Sequence, residues 1–266
     1  MNLIEAIILG LVQGLTEFLP VSSSGHLVLA QKIMGVEDKG VTFEILVHFG
    51  TLLSVLIYFW KSLWRMILSI LPPFRAEYAE DRRTILYLII ASVPAAIVGF
   101  SPLRDAFEGV YDKPIMVGAL LMVTGCILFL PRFFVRRSEG EMGIKTAITM
   151  GIGQALAILP GVSRSGSTIV AGMLSGTKPS AAAEFSFLMA IPAIAAASVL
   201  ELGDIGKIDP SMLKIYSIGV LVAFLSGLVA IYTVLAAIRR GRFEVFGIYC
   251  LIAGAAAVLY FKFGVA

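Results

Sequence analysis

Two apolar runs in this sequence stop before they are long enough to cross a bilayer, and each stops at a proline followed by serines and glycines. Residues 3–12 run into Gln13, Glu17 and Pro20, and residues 147–159 run into Pro160. Spanning takes about 20 consecutive apolar residues. Both segments are therefore expected to be re-entrant, the first returning along Leu27–Ile33 and the second along Ile169–Leu174. Ionisable side chains and irregular backbone persist at membrane depth only where protein or a water-filled cavity satisfies them. The stretch Gln13–His26, with a glutamate, three serines and a histidine, thus reads as a functional site in preference to a polar turn between spans.

Composition supports the membrane setting. Of 266 residues, 58% are hydrophobic and 15% charged, whereas a soluble domain carries about a quarter charged residues. The 26 glycines and 11 prolines suit closely packed and broken helices, and the strand alternation of a barrel is missing. The expected fold class is an all-α polytopic membrane protein. Cys126 and Cys250 lie in apolar runs and are expected to be packing residues. Met-Asn-Leu-Ile-Glu lacks a basic n-region, so no cleavable signal peptide is expected.

Six spans are expected: Thr42–Trp60, Ile85–Phe100, Pro114–Leu130, Glu184–Leu200, Leu213–Ile238 and Val245–Phe263. Basic residues gather at 61–83 (Lys61, Arg65, Arg75, Arg82, Arg83), at 131–145 (Arg132, Arg136, Arg137, Lys145) and at 239–242 (Arg239, Arg240, Arg242). The positive-inside rule puts these loops in the cytoplasm. Both termini and the 31–41 loop, with Glu37, Asp38 and Lys39, then lie outside, as does the mildly acidic loop after Leu200. The first re-entrant segment enters from outside and the second from the cytoplasm. That predicts one membrane domain, 1–266, built of inverted repeats at roughly 1–130 and 140–266.

A shift of 141 residues superposes the two interrupted regions. Ala6, Ile7, Gly10, Gln13, Leu15, Val21, Ser22, Ser24 and Gly25 match Ala147, Ile148, Gly151, Gln154, Leu156, Val162, Ser163, Ser165 and Gly166. Shared hydrophobicity does not readily explain the glutamine, the serines and the glycine at one offset. Broken helices at corresponding places in two halves point to a binding site near the midplane.

Serine- and glycine-rich turns at helix N-termini bind anions, phosphate above all. Arg164 adds a guanidinium able to grip two phosphate oxygens. A phosphate ligand is preferred here over a purely structural Arg164–Glu17 pair. Gln13 and Glu17, four apart, share a helix face and could hold a hard divalent cation. Ser23 or Ser22 could act as nucleophile with His26 as base or leaving-group acid. Glu44 and His48, also four apart, read as hydrogen-bond partners within the protein.

Gln13-xxx-Glu17, the run Pro20-Val-Ser-Ser-Ser-Gly-His26 and the run Pro160-Gly-Val-Ser-Arg-Ser-Gly-Ser-Thr168 together resemble the undecaprenyl-diphosphate phosphatases, the bacitracin-resistance protein family. The resemblance extends over essentially the whole chain, including Glu184-Phe-Ser-Phe-Leu. It implies hydrolysis of undecaprenyl diphosphate to undecaprenyl phosphate and phosphate, recycling a lipid carrier for cell-wall synthesis and conferring bacitracin resistance. It further implies a divalent cation, Mg²⁺ or Ca²⁺, and a site open to the periplasmic side of the bacterial inner membrane. Carried over by motif, Glu17, Ser23, His26 and Arg164 are catalytic, while Gln13 and Glu17 stay the candidate metal ligands that their spacing offers. Ser22, Ser24, Gly25, Ser163, Ser165, Gly166 and Thr168 hold phosphate. Gln13 stands where some members have glutamate, and His48 falls outside the motifs. The implied partners are the diphosphate lipid, the bilayer and, as an option, a second copy in a homodimer, with no nucleic acid. The competing expectation is a transporter or flippase of a polyprenyl phosphate lipid, because broken helices in inverted repeats also typify transporters. A phosphatase of the histidine-based type is disfavoured, since the second histidine, His48, lies far from the Ser-Arg motif.

Overall fold

A computed structural model describes residues 1–36, 42–135, 139–200, 210–241 and 243–264. Expectations for Glu37, Asp38, Lys39, Arg136, Arg137, Arg242 and the loop after Leu200 fall outside the described residues. In chain order the helices are α1 (Leu3–Phe18), α2 (Ser23–Met34), α3 (Thr42–Tyr58), α4 (Trp60–Ser69), α5 (Ala79–Gly99) and α6 (Leu103–Glu108). They continue as α7 (Pro114–Phe134), α8 (Ile144–Leu156), α9 (Arg164–Leu174), α10 (Pro179–Leu200), α11 (Pro210–Arg239) and α12 (Glu244–Leu259). No strand occurs among the described residues, so the all-α polytopic class holds. Five helices are long and apolar enough to span, and six if the bent pair α3–α4 counts as one.

The serines of both motifs are not loop residues. Ser22 and Ser163 are N-caps, and each hydroxyl accepts the amide of the glycine three residues on, Gly25 or Gly166. Capping lets the return helices start at Ser23 and Arg164, several residues before their apolar stretches begin. The resulting helices have 16, 12, 13 and 11 residues for α1, α2, α8 and α9. At about 1.5 Å per residue none reaches the roughly 30 Å of a hydrocarbon core.

Other boundaries moved as well. The chain expected to span through Trp60 turns by 76° at Phe59, so α4 leaves the axis of α3. Part of the expected 61–83 loop is therefore helical, with Trp60 and Trp64 exposed and Met66 buried. The expected 101–113 loop contains α6. Cys250 is buried, as expected of a packing residue, but Cys126 is exposed on the outer face.

The short helices are gripped by long ones: α1 packs along α11, and α8 packs along α5. Between membrane helices, lipid is as apolar as leucine, so association depends on close backbone contact. A Cβ at Gly10 would sit 2.5 Å from the Gly219 carbonyl oxygen, and one at Gly151 would sit 2.6 Å from that of Ala91. These two glycines are matched in the sequence repeat because each lets a short helix lie against a span. At the inner end of α1, Phe18 is fully buried and meets Phe187 of α10 edge-on at 5.5 Å. This contact anchors the first turn beside the second motif.

Candidate active site

The two motif turns meet in the bundle interior and interlock. Ser165 Oγ donates to the Leu19 carbonyl at 3.0 Å, which ties the second turn to the first. From α7, Thr124 donates to the Gly161 carbonyl and accepts from the Ser163 amide, fixing the second turn from behind. Ser22 has φ 68° and ψ 95°, a conformation that costs a non-glycine residue on the order of 1–3 kcal/mol.

Glu17 is the hub. Its Oε1 accepts from Arg164 Nη2 at 2.5 Å, and its Oε2 accepts from Ser23 Oγ at 2.6 Å. Gln13 Nε2 donates to the same Oε2 at 3.1 Å, and reaches Thr51 Oγ1 at 3.4 Å. The Glu17 and Arg164 side chains are 7% and 16% exposed, so the pair is almost wholly withdrawn from solvent. The second guanidinium nitrogen, Nη1, donates to the Ser186 carbonyl at 3.1 Å. Thr168 is fully buried and bonds Ser186 Oγ at 2.7 Å, so it braces the Arg164 support from behind. The structural Arg164–Glu17 pair weighed against a phosphate ligand is therefore formed, and a phosphate would have to share Arg164 with it.

A cavity of about 360 Å³ opens onto this cluster. Its wall includes Glu17, Ser22, Ser23, Ser24, Ser163 and Arg164, with Ala157, Ile158, Val162, Ala193 and Ile194 as an apolar side. Ser165, Gly25, Gly166 and Thr168, expected to hold phosphate, are not on that wall. They are buried in caps and cross-links that shape it. Metal-free phosphate contact is thus left to Ser22, Ser23, Ser24, Ser163 and Arg164.

His26 is not brought to the cavity. Its Nδ1 bonds the Ser22 carbonyl at 2.8 Å, and its Nε2 bonds the Tyr249 hydroxyl at 2.8 Å. The imidazole that does face the site is His48. Its Nδ1 must donate to the Glu44 carbonyl, 2.7 Å away, because a carbonyl oxygen only accepts. That orients Nε2 toward Glu17 Oε2 at 3.7 Å. Glu44 and His48 do pair, but through the Glu44 backbone, while the Glu44 side chain lines the cavity. The i, i+4 spacing on α3 was the available signal, and only a site outside both motifs makes it meaningful. Ser186, within Glu184-Phe-Ser-Phe-Leu, had no local signal at all.

Gln13 Oε1 is buried without a partner, a free oxygen beside Glu17. No group of three or more His, Cys, Asp or Glu that could hold a metal ion occurs among the described residues. Hard cations take six or more oxygens, and Mg²⁺ commonly takes most of them from phosphate and water. Glu17 is on the cavity wall and Gln13 lies behind it, fully buried, so an ion held there would draw most of its oxygens from phosphate and water. The ionisable groups on the cavity wall are Arg164 and His48 against Glu17 and Glu44, with Tyr111 beside them.

Residues 6–256 match the family described as bacitracin resistance protein BacA. Among curated proteins, an undecaprenyl-diphosphatase of Syntrophotalea carbinolica is 41% identical over 257 residues, covering 96% of this chain and 97% of the relative. Those of Desulforapulum autotrophicum and Rhodopirellula baltica are 36% and 39% identical, each covering 97% of this chain and 98% of the relative.

Proposed function

The chain belongs to the bacitracin resistance protein BacA family, and on that premise we propose how its site works. It is a membrane phosphatase that hydrolyses undecaprenyl diphosphate to undecaprenyl phosphate and inorganic phosphate, returning the lipid carrier to cell-wall synthesis. The observation that carries the mechanism is the contact series Ser23–Glu17–Arg164 on the cavity wall.

Ser23 Oγ attacks the terminal phosphorus in line with the bridging oxygen. The Ser23 O–P bond forms, the bridging P–O bond breaks, and undecaprenyl phosphate departs with the bonding pair. The hydroxyl proton passes to Glu17 Oε2, 2.6 Å away, a positioned carboxylate acting as general base. Glu17 then passes that proton to His48 Nε2, 3.7 Å away, and takes one from an attacking water; the water O–P bond forms, the Ser23 O–P bond breaks, inorganic phosphate leaves, and Ser23 Oγ recovers a proton from Glu17. Arg164 stabilises the charge on the equatorial oxygens, as preorganised donors do. Gln13 and Glu17 would hold a Mg²⁺ or Ca²⁺ ion, which supplies Lewis-acid neutralisation of diphosphate charge. The cavity has room for the headgroup and the first part of the tail only. Ile158 and Ile194 mark the apolar side along which the prenyl chain leaves for the bilayer.

The proposed setting is the bacterial inner membrane, as two inverted repeats with the cavity facing the periplasm. What supports the side is the position of Glu44, Tyr111 and Ser198 on the cavity wall. They lie near the start of α3, the loop before α7 and the end of α10. The basic residues Lys61, Arg132 and Arg239 sit at the opposite helix ends.

The deciding experiment is phosphate release from undecaprenyl diphosphate by purified Ser23→Ala, Glu17→Ala and Arg164→Ala. All three are expected to be inactive. Near wild-type turnover in Glu17→Ala or Arg164→Ala removes the site assignment. Activity kept in Ser23→Ala alone assigns the attack to water. A transporter needs no hydroxyl poised on a carboxylate, so lipid translocation in vesicles without phosphate release would be required to revive that reading.

A further inference from the structure

His26 lies within the first motif, yet both of its ring nitrogens are committed away from the cavity. The Ser22 carbonyl only accepts, so Nδ1 carries the proton and Nε2 offers its lone pair to the Tyr249 hydroxyl. The two rings also stack, with centroids 5.6 Å apart and planes 10° from parallel. Tyr249 belongs to α12, 223 residues further along the chain.

At the other end of this bond series is the one non-glycine residue with positive φ among the described residues, Ser22. Such a conformation persists only where its surroundings over-determine it. Ser22 is held at its hydroxyl by the Gly25 amide at 3.3 Å, and at its carbonyl by the His26 amide at 3.2 Å and His26 Nδ1 at 2.8 Å. The turn so fixed delivers the next residue, Ser23, to Glu17. The first two of these bonds are ordinary helix-start contacts. The imidazole bond is additional, and it is the one anchored to another element.

We infer that His26 and Tyr249 are positioning residues, a strut from α12 through the imidazole to the Ser22 carbonyl that holds the turn presenting Ser23. The role rests on the reading of Ser23 as the attacking group. Without the strut, Ser22 relaxes toward ordinary φ and Ser23 Oγ swings off the line of attack, while Ser163 and Arg164 on the second motif keep their places on the cavity wall. The loss therefore falls chiefly on the chemical step, with a smaller effect on binding.

The test is steady-state phosphate release by the full chain in detergent, for Tyr249→Phe, His26→Ala, the double variant of these two, His26→Gln and Ser23→Ala. Tyr249→Phe keeps the ring stack and removes one hydroxyl. It is expected to lower kcat about tenfold, the value of one well-placed hydrogen bond, with a smaller change in KM. The double variant is expected to be no slower than His26→Ala, since residues acting in series do not add. The residual rate of His26→Gln is expected to keep the wild-type pH profile. A wild-type kcat in Tyr249→Phe, a multiplied loss in the double variant, or a lost pH limb in His26→Gln overturns the strut. An active Ser23→Ala instead overturns the reading of Ser23, and so separates the two failures.

Discussion

Glu17→Gln separates the two jobs of the central carboxylate. The change is nearly isosteric, and a carboxamide oxygen still accepts from Ser23 or Arg164, but charge and basicity are gone. Removing one member of a buried ion pair costs about 3–5 kcal/mol, because the other charge is stranded. Arg164 retains the Ser186 carbonyl and lines a cavity of about 360 Å³. The lower end, about 3 kcal/mol, is therefore expected. At about 2–4 °C per kcal/mol, the thermal midpoint in detergent falls by about 6–12 °C. Inorganic phosphate at about 100 times its Kd returns about 2.7 kcal/mol. The variant responds at lower phosphate than the wild type, in which Glu17 competes for Arg164. Turnover falls about 10²- to 10⁴-fold, the range for a lost general base. Phosphate release and thermal unfolding are read on the same preparations. Wild-type turnover, or an unchanged midpoint that phosphate does not raise further, refutes the hub role.

Three further outcomes follow from the geometry. His48→Gln is expected to slow turnover by about 10²-fold, the low end for a proton carrier, as measured by phosphate release with KM followed separately. Chelation by EDTA is expected to abolish turnover and to leave the melting temperature of the substrate-free protein unchanged, because the ion comes with the diphosphate; a lower midpoint would mean a resident ion. Gly151→Val, forced toward the Ala91 carbonyl, is expected to destabilise the fold by about 1–3 kcal/mol, seen as a lower midpoint in detergent.

How far the residues disclosed the structure depends on the range of the interaction involved. The membrane class and the two broken segments were legible because hydropathy and proline act locally. The offset pairing Gln13 with Gln154 and Gly10 with Gly151 was legible too, since both copies answer the same packing demand. Helix starts at Ser23 and Arg164 were not, because polar motif residues read as loop until the cap hydroxyls of Ser22 and Ser163 are seen. The 76° turn at Phe59 was hidden inside a continuous apolar run. At the site, Glu17, Ser23 and Arg164 were readable from their motifs. That His48 faces Glu17 while His26 turns to Tyr249 was not, because ring direction is set by Tyr249 and by the Glu44 carbonyl, partners that no local pattern names.

The Glu17–Arg164 pair also sets a timetable for making the protein. Its members are 147 residues apart, about 7–30 s of synthesis at 5–20 residues per second. Through that interval Glu17 is at membrane depth with only what the first 51 residues provide: Gln13, Ser23, Thr51 and the His48 ring. A chain that ends before residue 164 therefore leaves Glu17 at membrane depth without the guanidinium it meets in the finished fold, an arrangement that is costly there.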